Sequence, residues 1–104
     1  MAAPRVSIVI PAWNAAAFIA KTLATVAAQT FTDFEVIVVD DGSSDDTQLV
    51  AERFLKDKGL RGRCIRQENK KIAGARNTGI RAAEADLISF LDHDDIWFTD
   101  KLAR

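Results

Sequence analysis

Three short, almost unbroken apolar runs rich in β-branched residues recur along the chain, at 6–10 (VSIVI), 36–39 (VIVV) and 87–91 (LISFL). A strand with one face in water alternates polar and apolar residues; these do not, so each is expected to be buried on both faces, as in a parallel sheet covered by helices. The intervening segments supply the helices. Residues 14–29 place Ile19, Leu23 and Val26 on one face, with Asn14 as the cap. A second helix is predicted from Ser43 or Ser44, with Asp45 and Asp46 in its first turn, Val50 and Phe54 buried, and Gly59 at its end. A third, over 72–85, carries Gly74 and Gly79. Each glycine costs about 1 kcal/mol against alanine in a helix, which predicts a close approach of its backbone to a neighbour or ligand. Residues 62–67 mix Arg63 and Arg66 with Cys64 and Ile65, the pattern of an edge strand.

The order βαβαβαβ calls for right-handed crossovers between parallel strands. Winding outward twice and then returning across the first strand gives the order 3-2-1-4, a Rossmann-like three-layer αβα arrangement with two helices on one face and one on the other. With 104 residues, 48% of them apolar, there is room for one domain, 1–104, with one real core. The return creates a switch point beside the first strand, so 11–14, 40–43 and 92–95 are expected to converge on one crevice. The strand 87–91 then lies at an edge interrupted only by Ser89 and followed by Ile96, Trp97 and Phe98, which leaves it open to self-association.

Two acidic clusters fall at that crevice, Asp40 and Asp41 in VVDDGSSDDT and Asp92, Asp94 and Asp95 in LDHDD. Carboxylates are costly to gather unless a cation or strong donors neutralise them, so the clusters point to a metal and a polar, phosphorylated ligand. Magnesium or manganese is typically held by one or two carboxylates together with phosphate oxygens and water. The alternative for 92–95 is a solvated turn and helix start. Asp40 and Asp41 can accept hydrogen bonds from ribose hydroxyls or a base N–H, with Gly42 allowing a left-handed turn; they can equally belong to a turn that caps a helix. Trp13 either offers a ring face to a base or packs. Arg76 and Asn77 either reach a phosphate or brace the crevice, or form a surface ion pair. Lys70 and Lys71 read as a solvated loop, and His93 as pointing outward.

Other chemistries are set aside. The net charge is −1, and although ten of the fourteen basic residues lie between Arg53 and Arg81, seven acidic residues fall in the stretches VVDDGSSDDT and LDHDD, which argues against nucleic-acid binding. No GxxxxGK[ST] is present, no GxGxxG follows a strand, and one histidine without a nucleophile makes no hydrolytic triad. The single cysteine, Cys64, forms no internal disulfide, suits a reducing compartment and reads as core-facing. The first apolar run is too short for a signal peptide or a spanning helix.

The stretches VSIVIPAWNAAAFIAKTLATVAAQTFTDFEVIVVDDGSSDDT and ENKKIAGARNTGIRAAEADLISFLDHDD, taken together and in order, resemble the nucleotide-sugar-binding half of a family 2 glycosyltransferase with the GT-A fold. The resemblance implies that Pro11, Trp13 and Asn14 line the base pocket, with Trp13 where the family commonly has tyrosine. It implies that Asp40 and Asp41 contact uracil and ribose, that Arg76 lies near the donor, and that Lys71 replaces a usual glycine. Asp92 and Asp94 would touch the ribose and the diphosphate-bound metal, Mn2+ or Mg2+, respectively. The implied reaction moves a sugar from a nucleoside diphosphate, as in a UDP-sugar, to a hydroxyl of a saccharide or lipid-linked acceptor, with inversion. Its implied setting is bacterial polysaccharide biosynthesis in the cytoplasm, at the cytoplasmic face of the membrane for the full-length enzyme. In this family the base that deprotonates the acceptor comes from the following half, after the helix for which Thr99 reads as the cap, so no catalytic residue is expected within 1–104 and the chain alone is expected to transfer no sugar. Two rivals remain: a non-catalytic nucleotide-binding or interaction module of the same fold, and a phosphotransfer domain with an aspartate nucleophile. The second places its key acid after the first strand, where this chain has Pro-Ala-Trp-Asn.

Overall fold

The computed structural model describes residues 3–68 and 71–91, with the side chains of residues 71 and 72 left aside. Seven elements follow in the order β1 (Val6–Ala12), α1 (Ile19–Ala27), β2 (Phe34–Asp41), α2 (Thr47–Asp57), β3 (Gly62–Gln67), α3 (Lys71–Ala82) and β4 (Leu87–Phe90). The four strands are parallel and ordered β3-β2-β1-β4, as the sequence predicts. Ile8, Ile10, Val36 and Val38 point to the face covered by α1 and α2, where they meet Ile19, Leu23, Val26, Ala51 and Leu55. Ile37 and Val39 point to the other face, against Ala75 of α3. Burial of β1 and β2 on both faces is the physical content of their apolar runs.

Several boundaries differ from expectation. β1 does not stop before Pro11, which pairs with Val39 inside the strand. Val9 accepts from the Leu91 amide, so its backbone faces β4, and Pro11, two residues on, faces the same way. Among the described residues the pairing with β4 runs as far as Val9 and Phe90, so Pro11, which has no N–H to give, lies past the last described pair on that side. α1 begins at Ile19, with Phe18 at the N-cap and no side-chain cap; Asn14 adopts φ 48° and does not cap it. α2 begins at Thr47, so Asp45 and Asp46 precede the first turn instead of occupying it. The fully buried line of α2 is Thr47, Ala51 and Leu55, while Val50 and Phe54 are half-buried beside the core. Gly59, at φ 63°, ends the helix as predicted. α3 stops at Ala82, three residues short of its predicted end. β4 is not buried on both faces: among the described residues it is the last strand of the sheet, and Leu87 and Phe90 are exposed by 62% and 41%.

Two features missed by pattern reading hold the far end of the sheet together. Glu35, buried in β2, accepts from the Ser7 hydroxyl at 2.6 Å and from the Glu84 amide at 2.7 Å, and Ser7 in turn accepts from the Ala85 amide. A polar pair inside the sheet thereby satisfies backbone donors of the α3 to β4 turn that no helix or ladder would reach. On the α3 face, a Cβ added at Gly79 would lie 2.2 Å from Cγ1 of Val9, so the predicted close approach is that of α3 to the central strand.

Candidate functional site

The carboxyl ends of β1 and β2 lie side by side, with Ala12 paired to Asp40. The site builds up from the two loops that leave these strands. Asn14 sits in the left-handed region; its amide donates to Ser43 Oγ at 2.9 Å, and its Oδ1 accepts from the Ser44 amide at 2.8 Å and the Ser44 hydroxyl at 3.2 Å. The Ala15 amide donates to Thr47 Oγ1 at 2.8 Å, and the Ala16 amide to Asp45 Oδ2 at 3.1 Å. Asp45 Oδ1 also accepts from the Thr47 amide and the Thr47 hydroxyl. The Thr47 hydroxyl is the largest influence on the Asp45 carboxyl and lowers its pKa; burial, next in size, opposes it, and the backbone donors of Ala16 and Thr47 add to the lowering, so the net shift is downward. Its contribution to stability is therefore complete above the ordinary carboxylate pKa and is lost as the pH falls through the lowered folded value.

Asp40 and Asp41 are the last two residues of β2, and consecutive strand residues point to opposite faces. Asp40 is fully buried on the α1 and α2 side; Oδ1 accepts from the Ser43 amide and Oδ2 pairs with Arg66 Nη1, each at 3.0 Å. Asp41, also buried, lies on the α3 side, where Oδ1 accepts from Gln67 Nε2 at 3.0 Å. Gln67 Oε1 accepts from Thr78 Oγ1, which also lies 3.0 Å from the Gly74 carbonyl. In the β2 to β3 register, Arg66 stands opposite Asp40 and Gln67 opposite Asp41, so two neighbours on one strand serve two neighbouring carboxylates on the other. Sequence reading missed both partners; the signal was the polar pair Arg66-Gln67 closing β3 at the same level as Asp40-Asp41.

Of the predicted site residues, Pro11 is buried within β1 and Trp13, just beyond its end, is 51% exposed. Asn14 lies at the same end but uses its side-chain carbonyl on Ser44. Arg76 is exposed on α3 with its guanidinium carbon 5.3 Å from the centre of the Phe90 ring, near the end of β4. Asp92 and Asp94, with His93 and Asp95, lie outside the described residues. Among the described residues no group of three His, Cys, Asp or Glu side chains could hold a metal ion. Both oxygens of Asp40 have protein partners, Oδ1 the Ser43 amide and Oδ2 Arg66 Nη1; a carboxylate such as the predicted Asp94 has the chemistry that suits a hard divalent cation.

A cavity of about 260 Å³ lies away from this end, between α2 and β3, with Glu52, Leu55, Gly62 and Cys64 in its wall. Burial, then the charges of Asp40 and Glu52, push the Cys64 thiol up to about 12. A protonated thiol is a poor nucleophile, so alkylation of Cys64 by iodoacetamide at pH 8 is expected to run roughly a thousandfold slower in the folded chain than in denaturant. Equal rates, read by intact mass, would refute this.

An open parallel sheet whose loops gather acids and an exposed aromatic ring at the carboxyl ends of its strands has the layout in which α/β domains bind their ligands. The chain belongs to glycosyl transferase family 2, whose family model matches residues 7–104. It is 40% identical over 98 residues to the Escherichia coli UDP-Glc:alpha-D-GlcNAc-diphosphoundecaprenol beta-1,3-glucosyltransferase WfgD, covering 93% of this chain and 38% of that one. Among solved structures it resembles Staphylococcus aureus TarS in complex with UDP-GlcNAc, at TM-score 0.87 and 31% identity, over 95% of this chain and 29% of that one. It also resembles the mannosyltransferase PcManGT of Pyrobaculum calidifontis in complex with GDP-Man and Mn2+, at TM-score 0.86 and 29% identity, over 93% and 29%. The sheet order and these likenesses establish the GT-A fold. The chain spans about a third of the length of these relatives. Among the described residues no helix is long and apolar enough to cross a membrane.

Proposed function

We propose that this chain is the donor-binding portion of an inverting glycosyltransferase that takes its sugar from a UDP-sugar and passes it to a hydroxyl of a saccharide or lipid-linked acceptor on the cytoplasmic side of the membrane. The observation that carries this reading is the exposed Trp13 ring at the end of β1 beside the carboxylates that close β2. An exposed ring supplies a stacking face for a base, and a carboxylate is the kind of acceptor that a base N–H or a ribose hydroxyl seeks, the role proposed for Asp41. Asp40 serves the same end of the sheet through the turn it holds. Arg76 and Asp92 bear on the diphosphate and the ribose. A manganese or magnesium ion at Asp94 would neutralise charge developing on the departing diphosphate. The base for the acceptor is assigned to the part of the relatives that this chain does not cover. The UDP-Glc in the name of WfgD and the UDP-GlcNAc of the TarS complex support a UDP-linked donor, and the Mn2+ of the PcManGT complex supports the metal.

Calorimetric titration of the chain with UDP and with GDP, each with manganese and with chelator, tests the reading. UDP is expected to bind more tightly than GDP, and more tightly with manganese than without. Affinity for neither nucleotide, or an isotherm indifferent to metal, would overturn it.

A further inference from the structure

We propose that Arg66 is a positioning residue for the nucleotide site, holding the turn that follows β2 and, through that turn, the backbone next to Trp13. The proposal rests on the nucleotide reading above. Arg66 Nη1 donates to Asp40 Oδ2 at 3.0 Å while Nη2 donates to the Ser43 carbonyl at 2.8 Å. A planar fork makes both bonds from one side chain; a lysine ammonium, a point charge, does not reproduce that geometry. Asp40 Oδ1 takes the Ser43 amide, so the carboxylate and the guanidinium together bind Ser43 by its N–H and its C=O. Gly42, at φ 76°, carries the chain through the left-handed region that this closure requires.

The clamp reaches the first loop by two further bonds. Ser43 Oγ accepts the Asn14 amide, and Asn14 Oδ1 accepts the Ser44 amide. The peptide that joins Trp13 to Asn14 is therefore fixed to a turn whose own shape depends on Arg66. Arg66 itself comes from an edge strand, and its side chain is 47% exposed, so it contributes little to the core. Its placement is explained by what it holds.

The test compares the parent chain with Arg66→Met, which keeps the length of the stem, and Arg66→Lys, using hydrogen exchange and calorimetry with UDP. In Arg66→Met, exchange at the Asn14, Ser43 and Ser44 amides is expected to rise at least about tenfold, because the acceptor of each belongs to this network. The Ala15 amide, held by Thr47, and the β1 ladder amides are expected to keep their parent rates, which separates loss of the clamp from unfolding. The UDP dissociation constant is expected to rise about tenfold, with partial recovery in Arg66→Lys. In an Asp40→Asn background, Arg66→Met is expected to add less than it does alone. Unchanged exchange at the three amides overturns the proposal, and so does raised exchange with parent affinity for UDP. If the parent binds neither UDP nor GDP, the nucleotide reading falls first and takes with it the assignment of Arg66 to that site. If Arg66→Met does not fold, the same comparisons are made on Arg66→Lys.

Discussion

Gly79→Ala is expected to destabilise the chain by about 2 kcal/mol, lowering the melting temperature by roughly 8–16 °C. In an open helix this change would stabilise by about 1 kcal/mol. Here the new Cβ would lie 2.2 Å from Val9 Cγ1, with Cγ2 and Cβ of the same residue at 3.1 and 3.2 Å. Val9 cannot give way easily, because it is fully buried in a strand flanked by β2 and β4. α3 must instead lift off the sheet, at the upper end of the about 1–3 kcal/mol that overpacking costs. Val9→Ala removes both methyl groups that obstruct the new atom, so the double variant is expected to be more stable than the sum of the single changes predicts. Thermal melts of the four chains decide the matter; a Gly79→Ala chain as stable as its parent would show that α3 is not held against β1 at this point.

Asp94→Ala and Asp41→Ala are expected to fail in different ways, and the contrast carries more information than either loss. Asp94→Ala is expected to bring UDP affinity in manganese down to the level seen with chelator, a loss of about tenfold or more, because it removes the carboxylate assigned to the metal. Asp41→Ala is expected to weaken UDP about tenfold both with and without manganese, because it removes the acceptor proposed for the nucleoside. Gln67 and Thr78 would lose the carboxylate that orders them, so part of that loss would come through the loop and α3. An Asp41→Ala chain with parent affinity in chelator would sink its role, and an Asp94→Ala chain that still responds to manganese would move the metal elsewhere.

The sheet was legible because its signal is strong: β1 and β2 are apolar enough to require cover on both faces, and the return past β1 leaves a single sensible order. Gly79 and Gly59 were legible because a helix tolerates glycine poorly and ends readily on it. The loops were less so. Asn14 has the chemistry of a helix cap, and the sequence offers no way to see that Ser44 lies within reach once the two strands pair; a contact across 30 residues outcompetes the local one. Asp45 likewise reads as a first-turn acid, yet its partners Ala16 and Thr47 fix the junction of two loops ahead of the helix. Glu35 and Ser7 look like interruptions in apolar strands until the backbone of the α3 to β4 turn is seen to need acceptors. Among the site residues, the sequence correctly brought Trp13, Asn14, Asp40 and Asp41 to one end of the sheet, and it could not reveal that Arg66 and Gln67 divide the two carboxylates between the two faces.

The bonds that lace the loop after β1 to the loop after β2 have a thermodynamic consequence. Five backbone or side-chain donors of Asn14, Ala15, Ala16 and Ser44 are satisfied across the two loops in the chain on its own. Ordering a residue costs about 1–2 kcal/mol in backbone entropy, and for these residues that cost falls on folding and not on the encounter with a ligand. The nucleotide proposed for this end would meet loops already set, as for a rigid receptor, and its association is expected to be a single fast phase with no slower rearrangement following it.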